Sequence, residues 1–153
     1  MIQYQPYEEK YFKKIQNLIW NSIRVLNSSD YDSDMIDIMV NWQDEKSLEE
    51  KFNKGTYYIA LDENQVIGVG GLVGDEICTM FTDSSHLRLG IGSSILKLLE
   101  DEAKKKNIEK IFLSSTITAH EFYSKQGFTE IKKAIHKLNG HDFLVYVMEK
   151  NLS

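Results

Sequence analysis

The chain lacks most of the features that mark secreted and membrane proteins. Its 153 residues include a single cysteine, Cys78, so an internal disulfide is excluded and a reducing compartment is favoured. The longest unbroken run of apolar residues and glycine, Val66–Val73, is far too short to span a bilayer, and the opening residues form no apolar signal-peptide core. We therefore expect a cytoplasmic protein with no membrane partner.

Other kinds of site are also missing from the sequence. Acidic residues outnumber basic ones, 23 to 18, and the lysines occur in scattered pairs such as Lys13 and Lys14, which disfavours a nucleic-acid partner. No cluster of Cys, His and carboxylate residues has metal-ligand spacing, so we expect no metal cofactor. No Gly-x-Ser-x-Gly segment is present, so a serine-hydrolase elbow is not indicated. The net charge of −5 suits a cationic acceptor.

The chain has the composition of a globular protein, with 42% hydrophobic and 27% charged residues. Its length predicts a single domain over residues 1–153. Apolar runs predict strands, and three- and four-residue spacing predicts helices. The predicted strands are Ile2–Gln5, Tyr57–Leu61, Val66–Val73, Glu76–Phe81, Lys110–Ser114, Phe128–Lys133 and Phe143–Met148. The predicted helices are about Glu8–Val25, Gly92–Lys106 and Thr118–Gln126, and helical spacing recurs in Tyr31–Val40 and Ser47–Asn53 on either side of a loop. The order βααβββαβαββ is that of an α/β (α+β) domain.

Three glycines, Gly68, Gly70 and Gly71, crowd the third predicted strand. Glycine weakens the packing of a strand, so this pattern indicates either a bulge or sharp twist, or the close approach of a substrate backbone. The residues alone leave both interpretations open.

The segment Thr82–Ser94 joins a predicted strand to a predicted helix and indicates an anion site. Its glycines, Gly90 and Gly92, allow a tight turn, and the free N–H groups and dipole of the following helix favour a phosphate. A Walker loop would need a lysine after the last glycine, where the chain has serine. A dinucleotide fingerprint would need a small residue at position 95, which is Ile95. Coenzyme A is the remaining phosphate-bearing candidate.

Two motifs carry a resemblance to a known family. Leu87–Gly92 is similar to the loop Gln/Arg-x-x-Gly-x-Gly/Ala, and Ala119–Phe128 is similar to Ala-x-x-Phe-Tyr-x-x-x-Gly-Phe. In this order and spacing they resemble the GNAT superfamily of acyl-CoA-dependent N-acetyltransferases. Leu87 departs from the first position of the loop but keeps its backbone amide. The resemblance implies a GNAT fold: a central mixed, splayed sheet of about seven strands flanked by four helices, with the cofactor between the fourth and fifth strands.

The resemblance also implies roles for individual residues. Tyr123 corresponds to the tyrosine that protonates the leaving thiolate. Glu76 lies eleven residues before Leu87, where some family members carry a glutamate base, although a solvated glutamate at a strand start is the alternative. A bulge around Met80–Thr82 would present backbone N–H groups to the thioester. The positions implied to contact acetyl-CoA are Met80, Phe81, Thr82, Leu87, Arg88, Leu89, Gly90, Ile91, Gly92, Ser93, Thr116 and Ala119.

The acceptor side of the cleft is expected between the first predicted helix and the second predicted strand. Tyr31 and Trp42 lie there among acidic residues, and aromatic faces with carboxylates suit a cation. We expect an enzyme that moves an acetyl group from acetyl-CoA to a primary amine of a small molecule, by direct attack in a ternary complex. A non-catalytic acyl-CoA-binding module, or an acetyltransferase of protein N-termini or lysines, are the alternatives. A monomer and a homodimer both remain open.

Overall fold

The computed structural model of the chain describes residues 1–138 and 140–153. Within these residues seven strands form one sheet, and five α-helices and two short 3₁₀ helices accompany it. The strands are β1 (Ile2–Pro6), β2 (Thr56–Asp62), β3 (Gln65–Val73), β4 (Glu76–Thr82), β5 (Lys110–Ser115), β6 (Thr129–Leu138) and β7 (His141–Asn151). The α-helices are α1 (Phe12–Leu26), α2 (Ser33–Trp42), α3 (Glu45–Lys54), α4 (Ile91–Lys105) and α5 (His120–Lys125). The 3₁₀ helices are Glu9–Tyr11 and Ser84–His86.

The sheet is mixed and splayed, as predicted. Its strand order is β1-β2-β3-β4-β5-β7-β6, and every neighbouring pair is antiparallel except β4 and β5. That parallel pair joins through one Cα register pair, Glu76 with Phe112. The two strands therefore diverge beyond this point and leave an opening at the carboxyl end of β4.

Five α-helices flank the sheet, whereas the resemblance implied four. The additional helix lies in residues 31–54, where helical spacing predicted two stretches separated by a loop and where two helices form, each with its own N-cap. Asp32 accepts a hydrogen bond from the Met35 N–H at 2.9 Å, and Asp44 accepts one from the Ser47 N–H at 2.8 Å. Such caps satisfy N–H groups that a helix start leaves unpaired.

The helices bury one apolar stripe each and so place a core on both faces of the sheet. On α1 the stripe includes Ile15 and Ile19, which pack with α2 and α3. On α4 it includes Ile95 and Leu99, which pack with α5 on the opposite face. All four side chains are buried at i, i+4 spacing, and each contributes about 1.5–3 kcal/mol by leaving water. The opening between β4 and β5 thus lies between two packed layers.

The glycines of β3 make room for side chains of the protein itself. A Cβ atom at Gly68, Gly70 or Gly71 would collide with Ile91 of α4, Met80 of β4 and the ring of Tyr57 of β2, respectively. The register of β3 with β4 also shifts between Val69 and Gly71, so a bulge is present, on the β4 side. All three glycines are buried, which explains their presence by packing rather than by contact with a substrate.

No helix of the described residues combines the length and apolarity that crossing a membrane requires.

Candidate active site

The segment after β4 ends in an open helix N-terminus. Gly90 is the N-cap of α4 with φ +74°, and Arg88 also has a positive φ of +65°. The Ser94 N–H donates to the Gly90 carbonyl oxygen at 3.0 Å, and no side chain caps the helix. The N–H groups of Ile91, Gly92 and Ser93 therefore have no partner within the helix and can bind an anion.

The start of this segment is held by Asp83. Its N–H donates to the Ile67 carbonyl oxygen at 2.9 Å, and its carboxylate accepts from the Ser85 N–H at 3.3 Å. The same carboxylate lies 2.6 Å from Nδ1 of His86, whose Nε2 lies 3.8 Å from Asp62 of β2. The 3₁₀ turn before the open helix end is thus tied to β2 and β3.

Helix α5 packs directly against the start of α4. A Cβ atom at Gly92 would lie 3.0 Å from Cζ of Phe122. The Gln126 side-chain N–H donates to Oγ of Ser93 at 2.9 Å. Glycine at position 92 therefore allows close contact between the two helices as well as access to the backbone.

Tyr123 lies in α5 behind this contact. Its side chain is 7% exposed, with the rings of Phe122 and Phe128 at 5.1 and 5.7 Å in edge-on orientation. Burial, with a smaller contribution from Cys78 of β4, raises the pKa of its phenol above the ordinary value. The hydroxyl therefore stays protonated at neutral pH and can act as a proton donor.

The bulge of β4 lies at Thr79 and Met80, one residue earlier than predicted. Thr79 has φ +57°, a conformation that costs a non-glycine residue about 1–3 kcal/mol. Phe81 and Thr82, which the prediction included, pair regularly with Val69 and Gly68. The prediction that Phe81 and Thr82 belong to the bulge was therefore wrong. Of the three predicted residues only Met80 lies in the bulge, and a bulge leaves backbone groups outside the ladder.

Glu76 begins β4 and is half-buried. Burial raises the pKa of its carboxyl, and Lys51 of α3 partly opposes that shift. Glu76 also raises the pKa of the Cys78 thiol, although burial is the main cause there. Glu76 and Cys78 are two residues apart on β4, so their side chains lie on the same face of the strand, where Cys78 packs against the core that includes α3. A glutamate with a raised pKa is better suited to accept a proton near neutral pH than an ordinary one.

The loop between β5 and α5 borders the same opening. The Thr116 hydroxyl oxygen accepts a hydrogen bond from the Ala119 N–H at 3.2 Å. This contact closes the turn that begins α5, and the Thr116 hydroxyl hydrogen can still donate to a ligand.

Tyr31 lies in the loop between α1 and α2. Tyr31 is 8% exposed, and its hydroxyl oxygen accepts from the Ile117 N–H at 3.0 Å. Its neighbour Asp30 accepts from the Thr118 hydroxyl at 2.6 Å. Tyr31 therefore joins the loop after α1 to the loop after β5, and its hydroxyl oxygen is already engaged there. The sequence did not predict these two hydrogen bonds, because the residues that form them are 86 and 88 positions apart along the chain.

Trp42 lies at the end of α2, and its side chain is 41% exposed. One side of its ring packs on Phe143 of β7, with ring centroids 5.4 Å apart. The remaining surface is open to solvent, so Trp42 can both pack and contact a ligand.

No group of three or more His, Cys, Asp or Glu residues in the described part of the chain is placed to hold a metal ion.

Comparison with known proteins agrees with this geometry. The family profile described as acetyltransferase (GNAT) domain matches residues 27–150. A protein of Escherichia coli (strain K12) named uncharacterized N-acetyltransferase YafP is 24% identical over 147 residues, which is 96% of this chain and 94% of that protein.

Two solved structures share the fold over nearly the whole chain. A GCN5-related N-acetyltransferase from Rhodopseudomonas palustris superposes with a TM-score of 0.91 at 19% identity, covering 97% of this chain and 94% of that one. The PaiA N-acetyltransferase from Thermoplasma acidophilum, solved in complex with coenzyme A, gives a TM-score of 0.78 at 17% identity, covering 99% of both chains.

Proposed function

Since this chain belongs to the GNAT acetyltransferase family, we propose that it transfers an acetyl group from acetyl-CoA to a primary amine of a small molecule. The amine attacks the thioester directly in a ternary complex. One observation carries the proposal: the uncapped N-terminus of α4, which follows β4, packs through Gly92 against α5, the helix that holds the buried Tyr123.

The residues of the segment after β4 fit coenzyme A. The free N–H groups of Ile91, Gly92 and Ser93 would hold the pyrophosphate, and the dipole of α4 favours its negative charge. Leu87 and Leu89 are exposed and offer backbone amides without side-chain donors. Arg88, also exposed, adds a positive charge next to them. Bound acetyl-CoA would supply the activated acyl group, and Thr116 and Ala119 would border its pantetheine arm.

Three groups of the chain serve the transfer. Glu76 accepts a proton so that the amine can attack in its neutral form, and its raised pKa suits this role. The backbone N–H at the bulge, at Met80, donates to the thioester oxygen as negative charge develops there. Tyr123 donates its proton to the sulfur of the departing thiolate. The ammonium form of the amine gives one proton to Glu76; as the C–N bond forms and the C–S bond breaks, the nitrogen loses a second proton, which balances the one that Tyr123 gives to the thiolate and restores its phenol.

Two features support a small cationic amine as the acceptor: the net negative charge of the protein and the surface around Trp42. Asp32 and Asp34 are exposed at the start of α2, and Trp42 is partly exposed at its end. Carboxylates and an aromatic face together suit a small cationic amine. Tyr31 contributes by holding the loop that precedes α2, rather than by contact through a free hydroxyl.

The test is release of free CoA thiol from acetyl-CoA over a panel of small amines, with the product identified by mass. We expect a small cationic amine to gain one acetyl group, with CoA released in equal amount. Peptides with free N-termini or lysines serve as the matched comparison. Acetylation of peptides alone would favour the protein acetyltransferase, and binding of acetyl-CoA without any product would favour the non-catalytic module.

A further inference from the structure

We propose that Tyr57 is a positioning residue that fixes the bulge of β4 in the conformation which presents the Met80 N–H to the thioester. The inference rests on the proposed function, because it assumes that the bulge faces the acyl group. Tyr57 itself lies on β2, two strands away from the opening, and would touch neither substrate.

The hydroxyl of Tyr57 reaches the bulge directly. Its oxygen lies 3.3 Å from Sγ of Cys78 and 3.3 Å from Oγ1 of Thr79. Thr79 is the residue with φ +57°, and a β-branched residue with positive φ is an outlier that its surroundings must hold in place. The Tyr57 hydroxyl is within hydrogen-bond distance of the Thr79 hydroxyl. The tyrosine thus contacts the bulge at its strained residue.

The path of the Tyr57 side chain is fixed by its neighbours. Tyr57 pairs with Gly71 of β3, and Gly71 pairs with Cys78 of β4, so the three residues lie side by side across three strands. A Cβ atom at Gly71 would collide with the tyrosine ring, so the glycine is what lets the ring cross β3. The ring is 3% exposed and packs edge-on against Phe52 of α3 at 4.6 Å. A ring held on two sides places its hydroxyl with little freedom.

The consequence concerns the amide that follows Thr79. A bulge inserts one extra residue and re-aims the backbone around it. If Thr79 relaxed to an ordinary strand conformation, the Met80 N–H would turn back toward the ladder. A hydrogen-bond donor stabilises the negative charge of the transition state effectively only when its position and direction are fixed before the reaction. The tyrosine hydroxyl therefore acts on the transition state through the backbone.

The first test compares two matched tyrosine-to-phenylalanine variants on the same strand. Tyr57→Phe removes the contact with the bulge. Tyr58→Phe is the control, because its hydroxyl points to the other face of the sheet and donates to Oε1 of Glu102 on α4 at 3.0 Å. Removing an oxyanion donor outright costs roughly 10²–10³-fold in kcat, so we expect a misaligned donor in Tyr57→Phe to cost about tenfold. The KM for acetyl-CoA should stay unchanged in both variants, and the kcat of Tyr58→Phe should equal that of the wild type.

The second test separates a local effect from a general loss of stability. Thr79→Val keeps the shape of the side chain and removes its hydroxyl, so it should lower kcat by a similar factor. The double variant Tyr57→Phe, Thr79→Val should lose less than the product of the two single losses, because both changes remove the contact between Tyr57 and Thr79. In the free protein, the NMR shifts of the Thr79 and Met80 amides and of the Thr79 Cα should change in Tyr57→Phe and not in Tyr58→Phe.

Unchanged shifts at Thr79 and Met80 in folded Tyr57→Phe would overturn the inference whether or not the protein is active. So would a wild-type kcat in that variant, or losses that multiply in the double variant. A wild type that releases no CoA thiol with any amine would instead overturn the proposed function, and the NMR comparison would still decide whether Tyr57 holds the bulge.

Discussion

Ser93 allows a single backbone N–H of the proposed pyrophosphate site to be removed. It is the third residue of α4, and the first hydrogen bond within the helix is made by the Ser94 N–H. Ser93→Pro therefore deletes one outward-facing donor and no helical bond, since proline is tolerated in the first turn. Proline also restricts the backbone of the residue before it, partly by a clash with the Cβ atom of that residue. The residue before position 93 is Gly92, which has no Cβ atom, so that part of the clash is absent.

The size of the effect follows from the charge of the ligand. A hydrogen bond to a charged group contributes about 1.5–3 kcal/mol, and about 1.4 kcal/mol is tenfold in affinity. Ser93→Pro should therefore raise the Kd for CoA by roughly 10- to 100-fold. Ser93→Ala is the matched control, because it keeps the N–H and loses only the hydroxyl that accepts from Gln126. It should lower stability by about 0.5–1.5 kcal/mol and leave the Kd unchanged.

Calorimetric titration with CoA measures both variants, and circular dichroism confirms that each is folded. Equal affinity of folded Ser93→Pro and wild type would refute the placement of the pyrophosphate on these amides. An equal loss of affinity in Ser93→Ala would show that the hydroxyl, not the backbone, matters. Gly92→Glu is a less specific probe of the same segment, because a side chain there also meets Phe122.

Four further predictions concern the catalytic and acceptor groups. Tyr123→Phe should lower kcat by roughly 10²-fold, the scale of a lost general acid, with little change in the KM for acetyl-CoA; an unaltered kcat in initial-rate assays, with chemistry limiting, would remove Tyr123 from the mechanism. In the pH profile of kcat/KM, Glu76→Gln should remove the acidic limb, whereas Asp75→Asn should keep it. An acidic limb that persists in both variants would come from titration of the substrate amine. Because burial raises the pKa of Glu76, the folded protein binds more protons than the unfolded chain above the ordinary glutamate pKa. The Tm of Glu76→Gln relative to wild type should therefore rise with pH in thermal melts across that range. Trp42→Ala should raise the KM for the best amine and leave the Kd for acetyl-CoA unchanged, whereas a lower Tm alone would indicate a packing role on Phe143.

The parts of the fold that depend on local chemistry could be predicted from the sequence. The order of the strands along the chain follows from apolar runs and turn residues. The open end of α4 follows from glycine spacing before an amphipathic segment, and it is where the structure has an uncapped helix. In each case the residues that determine the structure are neighbours in the sequence.

The parts that depend on contacts between distant residues could not be predicted. The bulge lies at Thr79 and Met80 because the register of β3 and β4 shifts there, and the Thr79 hydroxyl meets Tyr57, which is 22 residues away. The hydroxyl of Tyr31 accepts from a backbone N–H on another loop. The extra residues of β6 and β7, beyond the predicted Phe128–Lys133 and Phe143–Met148, are mostly polar ones that only the pairing of the hairpin makes into strand.

Two-substrate initial-rate kinetics would test the central claim most directly. CoA release is measured while acetyl-CoA and the best amine of the panel are both varied. Direct attack in the opening between β4 and β5 requires both substrates to be bound together, so the double-reciprocal lines should intersect and no thiol should be released without the amine. Parallel lines would indicate an acetylated enzyme, and the absence of amine-dependent release would contradict the claim that this chain is an acetyltransferase.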